Sequence, residues 1–499
     1  MEVIANKKGC SLDTIGLQIQ RQSAGTVNTN SNVIFETIVN SYGAVVYNSL
    51  TGEIVINKVG RYFINWWVAT QTSIGANNIT FSIQTSQGDD LVRNSPIKHD
   101  EVLGFALIQV DSVPIALRLI NKSPIIELTS VYGVSVLRDV VTTTGAGTVT
   151  NTSTEYSVNT TASGADSAIL ESAMRGRYEP GFAGEAGIGV RIPTLLTGNQ
   201  IAQWGLFDSQ NGAFFGATST NIFVAIRRAG VDTVINQSAW NVDKLDGTGP
   251  SGATLTLSKG NIFQVVFTWY GYGVIEFRVV IPDPTTLAQE VITVNRFSPT
   301  GQTSFADPNQ LLRAEVNNAG TATSFNLFVG GRQYSIIGKY DPTFRVTSER
   351  RTITNVTTTL TPVISFARKT VFPTGSARTN SVEVNLEEIN IISTADLAYQ
   401  VLLGGTIDGT FANYPTATTI IPDSETALLV NTTSTTITGG EVIFQGITSG
   451  AGENSRVLAT AELLSFALPD NAIVTLAVAR IGGSGTNTVK ASFSVTESW

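Results

Sequence analysis

The stretch that decides the fold is NVIFETIVNSYGAVVYNSLTGEIVINKVGRYFINWWV, residues 32–68. It reads as a strand, a turn centred on Gly43, a second strand, a hairpin at Thr51-Gly52 and a third strand that ends in two tryptophans. Glycines between short apolar runs predict tight turns between antiparallel strands. Strands at about ten-residue spacing continue to about residue 140, and this rhythm is typical of a β-sandwich.

The composition extends this prediction to the whole chain. Only 14% of its 499 residues are charged, against about 25% in an average soluble protein. Threonine and valine favour strands, while glycine and asparagine favour turns. Alternation recurs near the C-terminus, for example in Val382-Glu383-Val384-Asn385-Leu386. We therefore expect an all-β protein of about three domains.

The distribution of charge and apolar residues excludes several function classes. The net charge is −8 and the basic residues are dispersed, whereas nucleic-acid binding needs a concentrated basic face. No apolar run reaches the roughly 18 residues of a membrane-spanning helix, and the N-terminal residues lack the apolar region of a signal peptide. Cys10 is the single cysteine, so an intrachain disulfide cannot form. We expect neither nucleic-acid binding nor membrane insertion.

Residues 11–140 resemble the C1q/TNF-like jelly roll of bacterial spore-surface collagen-like glycoproteins. The residues that carry the resemblance are Phe35, Gly43, Tyr47-Asn48, Thr51-Gly52-Glu53, Val59-Gly60-Arg61-Tyr62 and Asn65-Trp66-Trp67-Val68. The resemblance implies a compact, non-catalytic homotrimer on an extracellular fibre. We accordingly assign residues 1–140 to a trimerising jelly roll.

The remainder resembles structural proteins of tailed phages and large viruses. The residues that carry this resemblance are Arg177-Tyr178-Glu179-Pro180-Gly181, Gly205-Leu206-Phe207-Asp208, Asn211-Gly212, Phe214-Phe215-Gly216 and Trp240 to Ser251. It implies a lectin-like jelly-roll sandwich over residues 156–339 and a C-terminal β-sandwich over 340–499. Residues 141–155, rich in threonine, glycine and asparagine, are expected to be a linker or a weak edge strand.

Calcium is the metal that the residue types favour most. Asp208 and Asn211 lie in one glycine-containing loop, and Asp243 and Asp246 lie in another. Hard cations prefer such oxygen ligands, but neither loop has the EF-hand spacing. The alternative is a turn in which the Asp or Asn side chain accepts a hydrogen bond from the backbone N–H two residues later in the chain. Such turns explain the same four residues without a metal.

Exposed aromatic rings are the candidate sugar-binding feature. In VVFTWYGYGVIEF we place Tyr270 and Tyr272 on one face of a strand and Trp269 on the other. Sugar C–H faces stack on exposed rings, whereas buried rings stabilise a core. We expect Trp269 and Trp67 in cores and leave both alternatives open for the two tyrosines. Trp66 and Trp67 are adjacent, so only one of them can face the core of the jelly roll.

Enzymatic sites are scarce in the sequence. His99 is the single histidine, so a zinc site with two or three histidines is impossible, and its Lys98-His99-Asp100 context indicates an exposed turn. Two carboxylates suffice for glycoside hydrolysis. Glu387 and Glu388 should point to opposite faces of a strand. Glu179 and Glu185 flank a turn and are expected to be solvated.

The sequence thus predicts a non-enzymatic, homotrimeric protein of a virion surface. Its role there would be that of a phage fibre, a capsid decoration protein or a receptor-binding component. Its partners would be other virion or surface-fibre proteins and host surface polysaccharide. A spore-surface (exosporium) or appendage-tip protein is the first alternative. A polysaccharide-degrading fibre enzyme is the second. A protein made inside a cell and released by lysis needs no secretion signal, which fits the virion prediction.

Overall fold

The computed structural model describes residues 2–5, 15–21, 32–69, 80–86, 90–94, 101–110, 112–121, 126–180, 182–282, 289–337, 344–450, 468–483 and 487–498. Strands dominate this part of the chain, and its helical elements are three short 3-10 turns, Ser130–Tyr132, Gln237–Ala239 and Asp423–Glu425. The prediction of an all-β fold is confirmed. His99, Cys10 and a helix-like stretch that the sequence suggests around residues 456–466 lie outside the described residues. Within these residues no helix is long and apolar enough to cross a membrane.

The N-terminal sandwich consists of two five-stranded antiparallel sheets, ordered β3-β2-β1-β6-β9 and β4-β5-β10-β7-β8. The hairpin predicted at Thr51-Gly52 joins β4 to β5 because Asn48 Oδ1 accepts the Leu50 N–H at 2.9 Å and Gly52 has a φ of 74°. The strands are β1 (Glu2–Ala5), β2 (Gly16–Gln20), β3 (Thr37–Tyr42), β4 (Val45–Asn48), β5 (Glu53–Ile56), β6 (Gly60–Ala69), β7 (Thr80–Thr85), β8 (Asp90–Asn94), β9 (Glu101–Val110) and β10 (Ile115–Asn121).

The middle sandwich packs an eight-stranded sheet against a seven-stranded one. The first has the order β13-β14-β25-β16-β21-β22-β23 with β11 also paired to β25, and the second has the order β12-β15-β24-β17-β18-β19-β20. The strands are β11 (Ile126–Leu128), β12 (Asp139–Thr144), β13 (Thr148–Asn151), β14 (Tyr156–Thr160), β15 (Ser167–Gly176), β16 (Ala183–Arg191), β17 (Ile201–Phe207), β18 (Gly212–Thr218), β19 (Ile222–Arg228), β20 (Val231–Asn236), β21 (Asn261–Phe267), β22 (Ile275–Pro282), β23 (Gln289–Phe297), β24 (Gln310–Asn317) and β25 (Phe325–Ile337).

Of the two expectations for residues 141–155, a linker or a weak edge strand, the structure has the second, because β12 and β13 each lie at the edge of a sheet of the middle sandwich. β12 pairs with β15, and β13 pairs with β14. One contact that fixes β12 in the sandwich comes from its first residue. The carboxylate of Asp139 forms a fully buried ion pair with Arg332 of β25. β11 also lies within the range assigned to the jelly roll, yet it pairs with β25. The middle sandwich therefore begins at Ile126.

The C-terminal sandwich has a three-stranded sheet, β26-β35-β28, a five-stranded sheet, β31-β27-β34-β29-β33, and a small pair, β30-β32. Its core contains Phe366, Leu386, Val401 and Phe493, each at most 1% exposed. The strands are β26 (Phe344–Thr354), β27 (Thr361–Arg368), β28 (Glu383–Ser393), β29 (Leu397–Leu403), β30 (Thr406–Ile407), β31 (Leu428–Asn431), β32 (Ile437–Thr438), β33 (Glu441–Thr448), β34 (Ile473–Arg480) and β35 (Thr488–Ser498).

Candidate functional site

Tyr270 and Tyr272 lie in a turn that joins β21 to β22, and not on a strand as the alternation suggested. The turn forms because Tyr270 and Gly271 both have positive φ, 38° and 84°, which reverses the chain after Trp269. Both tyrosine side chains project into solvent, with exposed fractions of 62% and 66%. We call residues 268–274 the aromatic loop.

Tyr178 holds the backbone of the aromatic loop from below. Its hydroxyl oxygen accepts the N–H of Tyr270 at 3.1 Å. Its ring makes edge contacts with Trp269 and Tyr270, with centroids 5.8 Å and 6.4 Å apart, and stacks on Phe267. Trp269 is half-buried and packs against the sandwich core, in agreement with its expected core position. The loop is thus anchored by rings on its inner side.

Two further hydrogen bonds close the aromatic loop. The N–H of Gly273 donates to the carbonyl of Trp269 at 2.7 Å, and the N–H of Ser304 donates to the carbonyl of Gly271 at 2.9 Å. A Cβ at Gly271 would lie 2.9 Å from the methyl group of Thr303, so glycine permits this close approach. The backbone below the tyrosines is therefore fixed before any ligand arrives.

The aromatic loop can form a platform with polar edges. Each phenol ring offers an apolar face to C–H groups, and each hydroxyl offers one donor and one acceptor. Val274, 41% exposed, extends the apolar surface. Half-buried Arg228 lies nearby, with its Nε 3.4 Å from the hydroxyl of Thr303. This combination of apolar faces and polar groups matches the alternating surface of a sugar.

The calcium candidates Asp208 and Asn211 are hydrogen-bonded within the protein. Asp208 Oδ1 accepts the N–H groups of Gln210 and Asn211 at 2.7 Å and 2.8 Å, and its Oδ2 lies 2.9 Å from Arg175. Asn211 Oδ1 accepts the N–H of Ala306 at 2.8 Å. The oxygens that a cation would need therefore already accept hydrogen bonds from the chain.

Asp243 and Asp246 form turns of the kind that the sequence offers as the alternative to a metal site. Buried Asp243 accepts the N–H of Leu245 at 2.9 Å and that of Ser251 at 2.7 Å. Exposed Asp246 accepts both the N–H and the hydroxyl of Thr248, at 2.9 Å and 2.6 Å. Across the described ranges, no group of three or more His, Cys, Asp or Glu residues has the geometry to hold a metal ion.

The carboxylates considered for hydrolysis are arranged differently from expectation. Glu185 is 2% exposed and lies in β16 between Val266 and Ser335 of the neighbouring strands, so it is not solvated. Glu179, on the other side of the turn, is half-buried in the loop before β16. Glu387 and Glu388 are both half-buried, because a bulge in β28 after Leu386 breaks the simple alternation of faces.

A polar cavity of about 190 Å³ lies at the seam between the middle and C-terminal sandwiches. Its charged lining includes Glu171, Arg175 and Arg313 on the outer face of the seven-stranded sheet, with Asp470 across from them. A bulge in β15 between Glu171 and Arg175 places both residues at the cavity. Burial raises the pKa of Glu171, although the nearby guanidinium of Arg313 lowers it. Of the charged lining residues only Asp208 was a candidate from the sequence, because the cluster joins segments that are far apart in the chain.

The paired tryptophans of β6 take opposite faces, as strand geometry requires. Trp66 is 3% exposed and lies in the core, whereas Trp67 is 55% exposed, so its expected core position is wrong. Phe63 on β6 and Leu107 on β9 are cross-strand partners and are also exposed. Trp67 lies on the same outer face of β6 as Phe63, with exposed Asn65 between them, and we call Phe63, Trp67 and Leu107 the apolar row.

Comparisons with known proteins give structural likenesses of low similarity. No protein-family model and no curated protein matches the chain. A legume lectin-like domain from Entamoeba histolytica is 10% identical, with 40% of this chain and 89% of that chain covered and a TM-score of 0.27. A putative beta-glucanase from Mycobacterium abscessus is 11% identical, with 42% and 100% covered and a TM-score of 0.29. The metal-free carbohydrate recognition domain of Emp46p is 11% identical, with 42% and 98% covered and a TM-score of 0.23.

Proposed function

We propose that this chain is a non-enzymatic attachment protein that binds surface glycans through Tyr270 and Tyr272. The observation that carries the proposal is the pair of exposed tyrosines on a loop whose backbone is held by Tyr178 and Ser304. A braced loop loses little conformational entropy when it binds, so even a small contact area gives useful affinity.

A glycan-binding screen on the intact protein tests this proposal. We expect binding to a subset of immobilised host polysaccharides, and we expect Tyr270→Ala and Tyr272→Ala each to weaken it by about tenfold, the effect of losing one stacking contact. Tyr132→Ala is the matched control, because Tyr132 is 73% exposed but lies in a 3-10 turn outside the loop. Equal losses in all three variants would contradict a site at the aromatic loop.

We further propose that the protein acts as a homotrimer on a virion surface, as a fibre, decoration or receptor-binding component. The apolar row of Phe63, Trp67 and Leu107 supports self-association, because large exposed apolar patches mark contact surfaces. Three copies would present three aromatic loops, and multivalency converts weak sugar contacts into firm attachment. The C1q/TNF-like resemblance of residues 11–140 stays a prediction.

Immunogold electron microscopy of the producing culture tests the location. Gold on virions would support the proposal and would reveal whether the label lies on the head or the tail. Gold on spores or on cell-surface filaments, with bare virions, would favour the spore-surface alternative instead. Release of reducing ends from a bound polysaccharide by the purified protein would contradict the non-enzymatic assignment.

A further inference from the structure

Asn309 connects the support of the aromatic loop to the rest of the molecule. Its Oδ1 accepts the N–H of Tyr178 at 2.9 Å, and Tyr178 in turn accepts the N–H of Tyr270. The carbonyl of Asn309 accepts a hydrogen bond from Arg175 Nη1 at 2.9 Å, and its N–H donates to Asp307 Oδ1 at 2.9 Å. Asn309 thus binds Tyr178 through its side chain, while its backbone carbonyl and N–H are held by Arg175 and Asp307.

Two of the three partners of Asn309, Arg175 and Asp307, also pair with residues of the C-terminal sandwich. Arg175 Nη2 lies 2.8 Å from Oδ2 of Asp470, which precedes β34. Asp307 Oδ2 lies 2.9 Å from Nη2 and 3.1 Å from Nε of Arg378, in the loop before β28. Arg175 and Asp307 are each 3% exposed, so each pair has one buried partner, while the side chains of Asp470 and Arg378 are 26% and 42% exposed.

The segment that carries Asn309 also contacts the aromatic loop directly. Ser304 donates to the carbonyl of Gly271, and buried Phe305 packs edge-on against Phe267 with centroids 5.7 Å apart. Ala306 donates to Asn211 in the loop after β17. Residues 303–309 therefore lie between the aromatic loop on one side and the C-terminal sandwich on the other.

We propose that the C-terminal sandwich positions the aromatic loop, with Asn309 as the positioning residue and Arg378 and Asp470 as its two contacts from that sandwich. The C-terminal sandwich thereby becomes part of the binding unit without contacting the ligand. The sugar-binding part of this inference rests on the proposed function, whereas the positioning of the loop does not. Residues in direct contact with one hydrogen-bonded network are expected to couple in this way.

Hydrogen–deuterium exchange on the full chain tests the positioning without any ligand. We expect Arg378→Ala and Asn309→Ala to raise amide exchange in residues 268–274 by about tenfold, because each removes a hydrogen bond that restrains local opening. Exchange in β17, a central strand of the opposite, seven-stranded sheet, should stay unchanged, and Arg378→Lys should restore much of the protection. Arg345→Ala is the matched control, since Arg345 pairs with Glu425 inside the C-terminal sandwich.

Tyr178→Phe tests the contact between Tyr178 and the aromatic loop separately from the contacts with the C-terminal sandwich. It removes the oxygen that accepts the Tyr270 N–H and leaves the C-terminal contacts intact, so faster exchange is expected in the aromatic loop. If Tyr178→Phe loosens the loop while Arg378→Ala and Asn309→Ala leave it protected, the C-terminal sandwich does not position it and the inference is overturned. If wild-type protein binds no glycan yet these variants loosen the loop, the proposed function fails and the positioning stands.

Discussion

Nη2 of Arg175 lies 2.8 Å from Oδ2 of Asp470, and this ion pair joins the middle sandwich to the C-terminal one. The same aspartate pairs through its Oδ1 with Arg368, so a single carboxylate neutralises two buried guanidinium groups. Nη1 of Arg175 pairs in addition with Asp208. Two sandwiches that share buried charges at their contact are expected to unfold together.

Asp470→Asn should destabilise both sandwiches at once. Removing one partner from a buried ion pair leaves the other charge uncompensated and costs about 3 kcal/mol in the free energy of unfolding. We expect one cooperative unfolding transition at a lower denaturant concentration than in the wild type. Tryptophan fluorescence and hydrogen exchange in both sandwiches are the measurements. Arg345→Ala, which removes a more exposed pair, should cost less than about 1 kcal/mol. Similar losses in the two variants would show that Asp470 is not a special contact.

The stability of the seam should also depend on pH. Burial raises the pKa of Asp470, but the charges of Arg175 and Arg368 outweigh this effect and hold the pKa below its usual range. A carboxylate whose pKa is lower in the folded state contributes stability above the pKa of the unfolded state, about 3.9. That contribution is lost as the pH falls from this value through the lower pKa of the folded state.

Unfolding free energies measured between neutral pH and strong acid test this dependence. The difference between wild type and Asp470→Asn should be largest at neutral pH and should shrink in the acid range, because the wild-type carboxyl becomes neutral there. A difference that stays constant throughout the acid range would mean that the charge of Asp470 contributes nothing.

The adjacent tryptophans Trp66 and Trp67 should respond oppositely to substitution. Trp66→Ala removes a buried ring and is expected to cost about 4 kcal/mol of folding stability. Trp67→Ala removes an exposed ring from the outer apolar row, so it should leave the fold intact but reduce self-association. Sedimentation equilibrium is the measurement. A wild-type mass near 53.0 kDa, that of one chain, would contradict the trimer outright.

The sequence predicted the strands and turns well, because alternation and glycine spacing are local properties. It correctly made Trp66 and Trp67 alternatives for one core position, but the tendency of large rings to be buried does not say which of the two is inside, and Trp67 was the wrong choice. Tyr270 and Tyr272 were found as candidates, yet their turn was mistaken for a strand because the alternating aromatic residues outweighed Gly271 and Gly273, which mark a turn. Asn309, Arg175 and Asp470 were missed, since their roles depend on contacts between residues more than a hundred positions apart.

The acidic loops considered for calcium are expected to be stabilised by the hydrogen bonds of the chain itself. Asp243 is buried and accepts two backbone hydrogen bonds, so Asp243→Ala should leave two donors unpaired and cost about 2 kcal/mol. Asp246→Ala should cost clearly less, because water can replace its exposed contacts with Thr248. Since these oxygens are satisfied by the chain itself, EDTA should leave the thermal midpoint of the wild type unchanged. A fall in that midpoint with EDTA, reversed by added calcium and absent in Asp243→Ala, would instead assign a cation to this loop and would make the turn hydrogen bonds secondary.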